Sequence, residues 1–231
     1  MEAGVRVLIR NGCRVEVPLG QLCCGALNLH GGDRVQARSM ARRNIDVFLN
    51  AGIDKLVVLS AGCGSTMKEY DELLTDDPFY AEKARQFSSM VVDITEYLAG
   101  LPLDAPTGTL SARVTYQDAC HLAHAQRITA APRQVLQSIP GLEFIEMDNS
   151  SRCCGAAGLY SSLQPAMSKR LLGNKICSVV DVEADVVATT NPGCMIQLEA
   201  GLKRTKLNPR VCHIVDLLDE AYRLESEVPL S

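Results

Sequence analysis

The stretch that decides the fold is Ser151-Arg152-Cys153-Cys154-Gly155-Ala156-Ala157-Gly158-Leu159-Tyr160. Neighbouring residues on a strand point to opposite faces, so two adjacent cysteines reach one site only where the backbone turns. Gly155 permits that turn, because glycine adopts positive φ without a Cβ clash. The same block occurs earlier as Leu22-Cys23-Cys24-Gly25-Ala26-Leu27. The recurrence indicates an internal duplication, with something bound at the turn.

Two further landmarks measure the length of this repeat. The paired cysteines Cys23 and Cys153 lie 130 positions apart, and the glycine-flanked cysteines Cys63 and Cys194 lie 131 apart. The counterpart of Cys120, 130 positions earlier, would fall before Met1. The first unit is therefore expected to lack its opening strand and the cysteine loop that follows it.

Hydrophobic patterning predicts an α/β fold. Residues 55–60 form an almost continuous apolar run, as expected for a parallel strand covered on both faces, and residues 33–50 have apolar positions at helical spacing. We expect two tandem Rossmann-like repeats with parallel sheets flanked by helices, in residues 1–100 and 109–231, joined by the Pro/Asp-rich linker 101–108. Further strands are expected at 14–17, 112–117, 142–147, 185–190 and 210–213, and further helices at 3–11, 131–138, 163–180 and 215–225.

Composition excludes several classes of protein. The net charge of -4 and the pI near 5.6 give no electrostatic basis for binding nucleic acid or an anionic membrane. No apolar run reaches the roughly 18 residues of a membrane-spanning helix, and no signal peptide is recognisable. We therefore expect a cytoplasmic protein, with any attachment to the inner face of the membrane made through partners. Ten cysteines in that compartment indicate a metal or redox site, with disulfide stapling as the alternative.

Four cysteines of the second unit are the candidate metal ligands. Cys120, the pair Cys153 and Cys154, and Cys194 come from three loops that open at one edge of a parallel sheet. Four thiolates suit an iron–sulfur cluster or tetrahedral zinc, and the lack of Cys-x2-4-Cys spacing favours the cluster. The first unit offers only Cys23, Cys24 and Cys63, so a complete site there needs a ligand from upstream, solvent or a partner. Three other cysteines are expected to fill the core: Cys13, Cys177 and Cys212.

Glycines and a histidine accompany these thiols. Gly62, Gly155 and Gly193 allow backbone N–H groups to approach a negatively charged sulfide, or are simply turn residues. His121, beside Cys120, is either a hydrogen-bond donor next to the ligands or a surface histidine. We take all four as candidate residues for binding the cofactor.

These motifs resemble the cysteine-rich, Cys-Cys-Gly domain family, and within it the iron–sulfur subunits of glycolate oxidase (glycolate dehydrogenase). The resemblance covers nearly the whole chain. It rests on residues 20–27, Ala61-Gly62-Cys63-Gly64, Asp118-Ala119-Cys120-His121, residues 153–161 and Asn191-Pro192-Gly193-Cys194. It implies an electron-transfer subunit that carries an iron–sulfur cluster of the 4Fe-4S type. A flavin-containing (FAD) partner subunit would oxidise a 2-hydroxy acid such as glycolate, and this chain would pass the electrons onward.

The sequence departs from the family pattern in two places. The ferredoxin-like segment with two Cys-x2-Cys-x2-Cys-x3-Cys-Pro motifs is absent from the given sequence, and such an iron–sulfur module is expected as a partner if it is encoded separately. Thr66 and Gln197 stand where heterodisulfide reductase-type repeats carry a second cysteine, so a four-thiolate cubane is the simpler expectation. Two alternatives remain open: a thiol–disulfide redox subunit of heterodisulfide reductase or lactate-utilisation type, and a degenerate zinc-binding scaffold.

Overall fold

Parallel strands alternate with helices along most of the chain. The computed structural model describes residues 2–207 and 209–225, so residues 226–231 of the expected second unit lie outside the described part. The elements are α1 (Glu2–Arg10), α2 (Ala26–His30), α3 (Arg34–Asn50), β1 (Leu56–Val58), α4 (Ala61–Lys68), α5 (Tyr70–Leu73), α6 (Ala81–Met90), β2 (Val91–Asp93), α7 (Ile94–Ala99), β3 (Ala112–Tyr116), a π-helical turn (His121–Ala125), α8 (Ala130–Gln137), β4 (Leu142–Phe144), α9 (Tyr160–Leu163), α10 (Pro165–Asp181), β5 (Val186–Thr189), α11 (Pro192–Leu202), β6 (Arg210–His213) and α12 (Ile214–Glu225).

The larger sheet has four parallel strands in the order β4-β3-β5-β6. One face packs against α1, α7, α8 and α12 through side chains such as Val7, Leu98 and Leu217. The other face packs against α10 and α11 through Val179 and Leu198. Because helices cover both faces, every residue of β5 is buried, which explains the apolar run of Val186, Val187 and Ala188 before Thr189.

Within residues 2–207 and 209–225, the smaller sheet consists of β1 and β2, which pair in parallel. Its separate core is formed by residues of α3, α5 and α6, including Ile45, Leu73 and Phe87. The mixed α/β architecture with two parallel sheets flanked by helices is confirmed. The division into units at residues 101–108 remains a prediction.

The duplication is visible in the helices. Both α3 and α10 have 17 residues, and their first residues (34 and 165) and last residues (50 and 181) each differ by 131. Subtracting 131 from the bounds of β5 likewise gives residues 55–58, which include β1. Equivalent positions of the two halves can therefore be compared residue by residue.

The carboxyl ends of the two sheets meet. The amide of Ala61 donates to the carbonyl of Thr190 at 3.0 Å. The residue of the second half that is equivalent to Ala61 is Pro192, which has no N–H to donate. The carbonyl of Leu59, which is equivalent to that of Thr190, therefore accepts from His213 Nε2 instead, at 2.9 Å. Loops at the ends of both sheets are thereby held against each other.

Three local predictions differ from the structure. Residues 14–17 form no strand, because no strand of the described part of the chain pairs with them. Cys63 and Cys194 lie in the first turns of α4 and α11 rather than in loops, because each helix begins directly after its strand. The strand β2 was not predicted, since it has only two apolar residues, Val91 and Val92, and runs through Asp93 straight into α7.

Candidate metal centre

Four thiols converge at the carboxyl edge of the larger sheet. Cys120 immediately precedes the π-helical turn after β3, Cys153 and Cys154 lie in the loop after β4, and Cys194 lies in the first turn of α11, after β5. The thiols of Cys120 and Cys154 lie close enough to Cys153 to shift its pKa, and the thiol of Cys194 does the same for Cys154. The structure thus brings all four predicted ligands of the second unit together.

Hydrogen bonds among these thiols separate their pKa values. The contact from Cys120, followed by that from Cys154, lowers the pKa of Cys153. The same contact raises the pKa of Cys120, and the contact with Cys153 raises that of Cys154. Cys154, acting as donor, lowers the pKa of Cys194 despite burial. Cys153 and Cys194 are thus the two thiols of the cluster whose pKa is lowered, and the thiolate is the form of cysteine that binds metal.

The Cys-Cys turn depends on Gly155. Its φ is +89°, and its amide donates to Cys153 Sγ at 3.3 Å. A Cβ at this position would lie 2.5 Å from the carbonyl oxygen of Ser168, which packs against the turn from α10. Only glycine combines the left-handed backbone with this close approach. The other two candidate glycines contribute differently: the amide of Gly62 donates to Asn191 Oδ1 at 3.2 Å, and Gly193 lies beside the same side chain.

Asn191 is a functional residue that the sequence analysis missed. It precedes α11 as its N-cap, and its Nδ2 donates to Cys194 Sγ at 3.5 Å. In the first half the equivalent N-cap is Ser60, whose hydroxyl helps to lower the pKa of Cys63. A polar residue three positions before a helix-borne cysteine is the sequence signal for this arrangement.

Lys175 was also missed, and it is the most unusual residue near the thiols. It lies on α10 with only 1% of its surface exposed. Its Nζ donates to the carbonyls of Asn149 at 2.5 Å and Ser150 at 3.1 Å, in the loop that leads to the paired cysteines. Burial lowers its pKa to about 8, and negative charge on Cys154 opposes that effect. A buried cation that faces thiols indicates a site for an anionic group.

His121 lies next to this cluster. Its Nδ1 is 3.8 Å from Cys120 Sγ, and burial lowers the pKa of its imidazole. The ring stacks on His30 of the first half, with centroids 5.9 Å apart. His121 is therefore neutral at physiological pH and in contact with a candidate ligand.

The first half repeats the arrangement with one thiol fewer. Cys24 and Cys63 are in hydrogen-bonding contact, which raises the pKa of Cys24 and lowers that of Cys63 to about 6. Cys23 is exposed. The turn is held by neutral groups: Asn44 Nδ2 donates to the carbonyl of Cys23 at 3.1 Å, and the Tyr70 hydroxyl donates to that of Cys24 at 2.8 Å.

The remaining cysteines lie away from both clusters. Cys212 is buried in the main core and Cys13 is half-buried beside it, as expected. Cys177 is exposed on α10, so its prediction as a core residue was wrong: its helical position faces solvent. Within residues 2–207 and 209–225, no three His, Cys, Asp or Glu side chains are arranged to hold a single metal ion.

Sequence comparison agrees with this geometry. The family model of the cysteine-rich domain matches residues 1–68 and 114–199, together more than half of the chain. The chain belongs to the cysteine-rich domain family. The matched segments contain all seven candidate cysteines of this cysteine-rich domain protein, so the predicted family membership is confirmed.

Curated relatives of this cysteine-rich domain protein are redox proteins by name. The "probable glycolate oxidase iron-sulfur subunit" of Bacillus subtilis is 38% identical over 95% of this chain and 50% of its own length. A subunit of the fumarate reductase (CoM/CoB) of Methanothermobacter marburgensis is 35% identical over 94% of this chain and 42% of its own length. "Lactate utilization protein A" of Bacillus licheniformis is 30% identical over 94% of this chain and 91% of its own length.

The chain therefore spans about half the length of the first two relatives and most of the third. None of the helices in the described part of the chain is long and apolar enough to cross a membrane.

Proposed function

We propose that this chain is an iron–sulfur electron-transfer subunit of a flavin-dependent dehydrogenase that oxidises a 2-hydroxy acid, glycolate. The observation that carries the proposal is the meeting of Cys120, Cys153, Cys154 and Cys194 from three separate loops. Relatives named as an oxidase iron–sulfur subunit and a reductase subunit support it.

The residues present fit a cluster of the 4Fe-4S type. Four cysteine thiolates are its usual ligand set, and the pKa of two of these thiols, Cys153 and Cys194, is lowered by their neighbours. Lys175 supplies a buried positive charge next to them. That charge offsets part of the negative charge of a thiolate-bound cluster, which a purely apolar pocket would oppose.

The chain's own residues would hold the cluster and set its environment. When bound, the cluster supplies a carrier of single electrons. Cys154 and Cys194 are at most 4% exposed, so the inner side of the site excludes water. The amide of Gly155 and the side chain of Asn191 donate hydrogen bonds to sulfur. Such donors stabilise the more negative, reduced state and raise the reduction potential.

Substrate oxidation would occur in a partner that carries FAD. The sequence contains no Gly-x-Gly-x-x-Gly dinucleotide fingerprint, and no carboxylate or histidine constellation in it suggests substrate oxidation within the chain. A flavin subunit would take the electron pair from glycolate, and a ferredoxin-like iron–sulfur module would extend the path of the electrons. The complex would work in the cytoplasm or at the inner face of the membrane.

Anaerobic reconstitution with iron and sulfide tests the ligand assignment. The wild-type chain should bind iron and sulfide in equal amounts and gain the broad visible absorption of thiolate-bound clusters. Cys154→Ser should reduce both strongly. Cys177→Ser, which alters an exposed thiol on α10, is the matched control and should behave as wild type. Equal iron binding in wild type and Cys154→Ser would refute the assignment.

A second experiment tests the substrate. A tagged chain is isolated anaerobically with its bound partners, and reduction of an artificial dye is measured with glycolate, lactate and glycerol 3-phosphate. Glycolate should give the highest kcat/KM, and the Cys154→Ser chain should lower the rate. Preference for lactate would place the protein with lactate utilisation instead.

The lowered pKa of Cys153 supports one alternative, a thiol–disulfide subunit. In that reaction Cys153 attacks a disulfide substrate, Cys154 closes the enzyme disulfide, and the substrate leaves as two thiols. Titration of free thiols in iron-free protein would then show a reversible loss of two thiols, at Cys153 and Cys154. Elemental analysis for zinc tests the remaining alternative, a zinc scaffold.

A further inference from the structure

We propose that Asn191 is a positioning residue that couples the two groups of thiols, because its side chain links Cys194 of the second half to the helix that carries Cys63 in the first half. The link is a feature of the folded chain and does not depend on a bound cluster. Its effect on an electron carrier held by Cys194 deepens the proposed function and rests on it.

Asn191 and Ser60 occupy equivalent positions in the two halves. They lie 131 residues apart, each is the N-cap of its helix, and each precedes a cysteine by three residues. Asparagine and serine are preferred N-caps because their side chains accept from the first amides of the helix. Neither side chain makes such a bond here. The Ser60 hydroxyl instead donates to Asn191 Oδ1 at 3.5 Å, across the junction between the halves.

The side-chain amide of Asn191 is held on both sides. Its Nδ2 donates to Cys194 Sγ at 3.5 Å, and its Oδ1 accepts from the backbone amide of Gly62 at 3.2 Å. The N–H of Gly62 can only donate, so the side-chain oxygen must face it and the side-chain nitrogen must face the sulfur. One amide group therefore connects a candidate ligand of the second half to the residue that precedes Cys63 in the first.

Two of the candidate glycines make room for this side chain. A Cβ on Gly62 would lie 3.3 Å from Asn191 Oδ1, and a Cβ on Gly193 would lie 3.3 Å from Asn191 Nδ2. Both distances are shorter than an ordinary van der Waals contact, so a side chain at either position would press on the amide. The two glycines thus hold the Asn191 side chain in a closely fitting place.

The second half also supplies the cap that α4 lacks. The first amides of a helix have no acceptor within the helix. In α4 the amide of Ala61 donates to the carbonyl of Thr190 at 3.0 Å, and the amide of Gly62 donates to Asn191. Two consecutive residues of the other half therefore fix the start of α4, which positions Cys63. A displacement of Asn191 must disturb the surroundings of that thiol.

Ser60 completes the path between the two groups of thiols. Its hydroxyl has one proton to donate, and it lies close enough to Cys63 to lower the pKa of that thiol. Donation to Asn191 and donation to Cys63 are therefore alternatives. Negative charge at Cys194 strengthens the bond from Nδ2, because hydrogen bonds to ionised acceptors are about twice as strong as neutral ones. It also polarises the amide, so that Oδ1 accepts more strongly and draws the Ser60 hydroxyl toward itself.

Hydrogen exchange of the Gly62 amide tests the link without any cluster. Exchange is measured by nuclear magnetic resonance in the reduced, iron-free chain. Asn191→Ala should accelerate exchange at Gly62 about tenfold or more, whereas Asn50→Ala, which alters an exposed asparagine at the end of α3, should not. Gly64, whose amide donates to the carbonyl of Ser60 at 2.8 Å, is the internal control and should change less than about twofold. Equal exchange at Gly62 in wild type and Asn191→Ala would overturn the link.

A double-mutant cycle tests the coupling in the same iron-free protein. Cys194→Ala removes the acceptor of Asn191 Nδ2 and should accelerate exchange at Gly62 about threefold. In the Asn191→Ala background it should have no further effect, because the connection is already broken. Cys194→Ser, whose hydroxyl can still accept from Nδ2, should exchange as wild type does. The coupling is overturned if Cys194→Ala has no effect in wild type, or the same effect in both backgrounds.

The reduction potential of the reconstituted chain extends the test to the electron carrier. Hydrogen bonds to sulfur raise the potential, so Asn191→Ala should lower the equilibrium constant for reduction about tenfold, a shift of about 59 mV for a one-electron carrier. Ser60→Ala, a change in the other half, should lower it about threefold in wild type and not in the Asn191→Ala background. A purely structural role of Asn191 would not produce this dependence.

Unchanged potentials in both single variants would overturn the effect on the carrier. A chain that binds no iron on reconstitution would contradict the proposed function instead, and exchange at Gly62 would still decide the link. The two failures are therefore distinguishable.

Discussion

Lys175 should make the stability of the iron-free protein rise with pH. Burial lowers its pKa from the ordinary value of 10.5 to about 8 in the folded protein. Between these values the unfolded chain holds a proton that the folded chain has lost, so the free energy of unfolding increases with pH. Each pKa unit corresponds to about 1.4 kcal/mol, which gives a gain of about 3 kcal/mol on going from pH 7 to pH 10.5.

Substitution by methionine isolates this contribution. Lys175→Met keeps a side chain of similar length but cannot be charged. Urea unfolding of wild type and variant, both reduced and iron-free, is measured from pH 7 to pH 10.5. The difference in unfolding free energy, wild type minus variant, should grow by about 3 kcal/mol across that range. Subtraction of the two curves removes most of the contribution of the titrating thiols and tyrosines.

A matched control lies on the same helix. Lys169 is exposed on α10, so Lys169→Met should leave the pH dependence of wild type unchanged. A bound anionic cluster would hold the proton on Lys175, so reconstituted protein should lose most of the rise. The reasoning is refuted if the difference between wild type and Lys175→Met stays within about 0.5 kcal/mol at every pH, a range typical of exposed substitutions.

Two further predictions follow from the backbone and the first-half thiols. Gly155→Ala should lower the unfolding free energy by about 2 kcal/mol or more, because residue 155 has positive φ and its Cβ would lie too close to the carbonyl oxygen of Ser168. Gly173→Ala is the control on α10, where a Cβ would meet no other atom. It should raise the unfolding free energy by about 0.5–1 kcal/mol, because alanine is favoured over glycine within a helix. In iron-free protein, alkylation of Cys63 should be half-maximal near pH 6, and Cys24→Ala should move that midpoint upward, as mass spectrometry of the alkylated peptides would show. A midpoint near 9 in the unsubstituted chain would contradict the contact with Cys24.

The parts of the site that sequence predicted are those with a local signature. A Cys-Cys-Gly turn and a cysteine directly after an apolar strand are recognisable without a structure, because adjacent residue types dictate them. Parallel strands then bring their carboxyl ends to one edge. That is enough to predict the convergence of Cys120, Cys153, Cys154 and Cys194.

The parts that sequence missed depend on contacts between distant segments. Lys175 lies in a helix with many exposed polar residues, where a lysine normally indicates the solvent face. Lys175 is equivalent to Asn44, which lies 131 positions earlier and is also buried. Only this equivalence indicates that the side chain of Lys175 is buried. Residues 14–17 show the opposite case. Their pattern predicts a strand, but a strand forms only where a partner lies beside it.

Comparison of these two equivalent positions explains how the halves differ. Asn44 accepts from the amide of Leu22 at 2.7 Å and donates to the carbonyl of Cys23 at 3.1 Å. Because its side chain is uncharged, Asn44 supports the first Cys-Cys-Gly turn without the free-energy cost of burying a charge. Lys175 can only donate, and it carries a charge that burial opposes by about 3 kcal/mol until an anionic group offsets it.

The second half is therefore stabilised by what it binds, and its four thiols are already in place. The first half has a neutral support and three thiols, one fewer than the second half, so it has less to gain from binding an anionic group. Binding at the two sites should accordingly be ordered, with the site supported by Lys175 filled first.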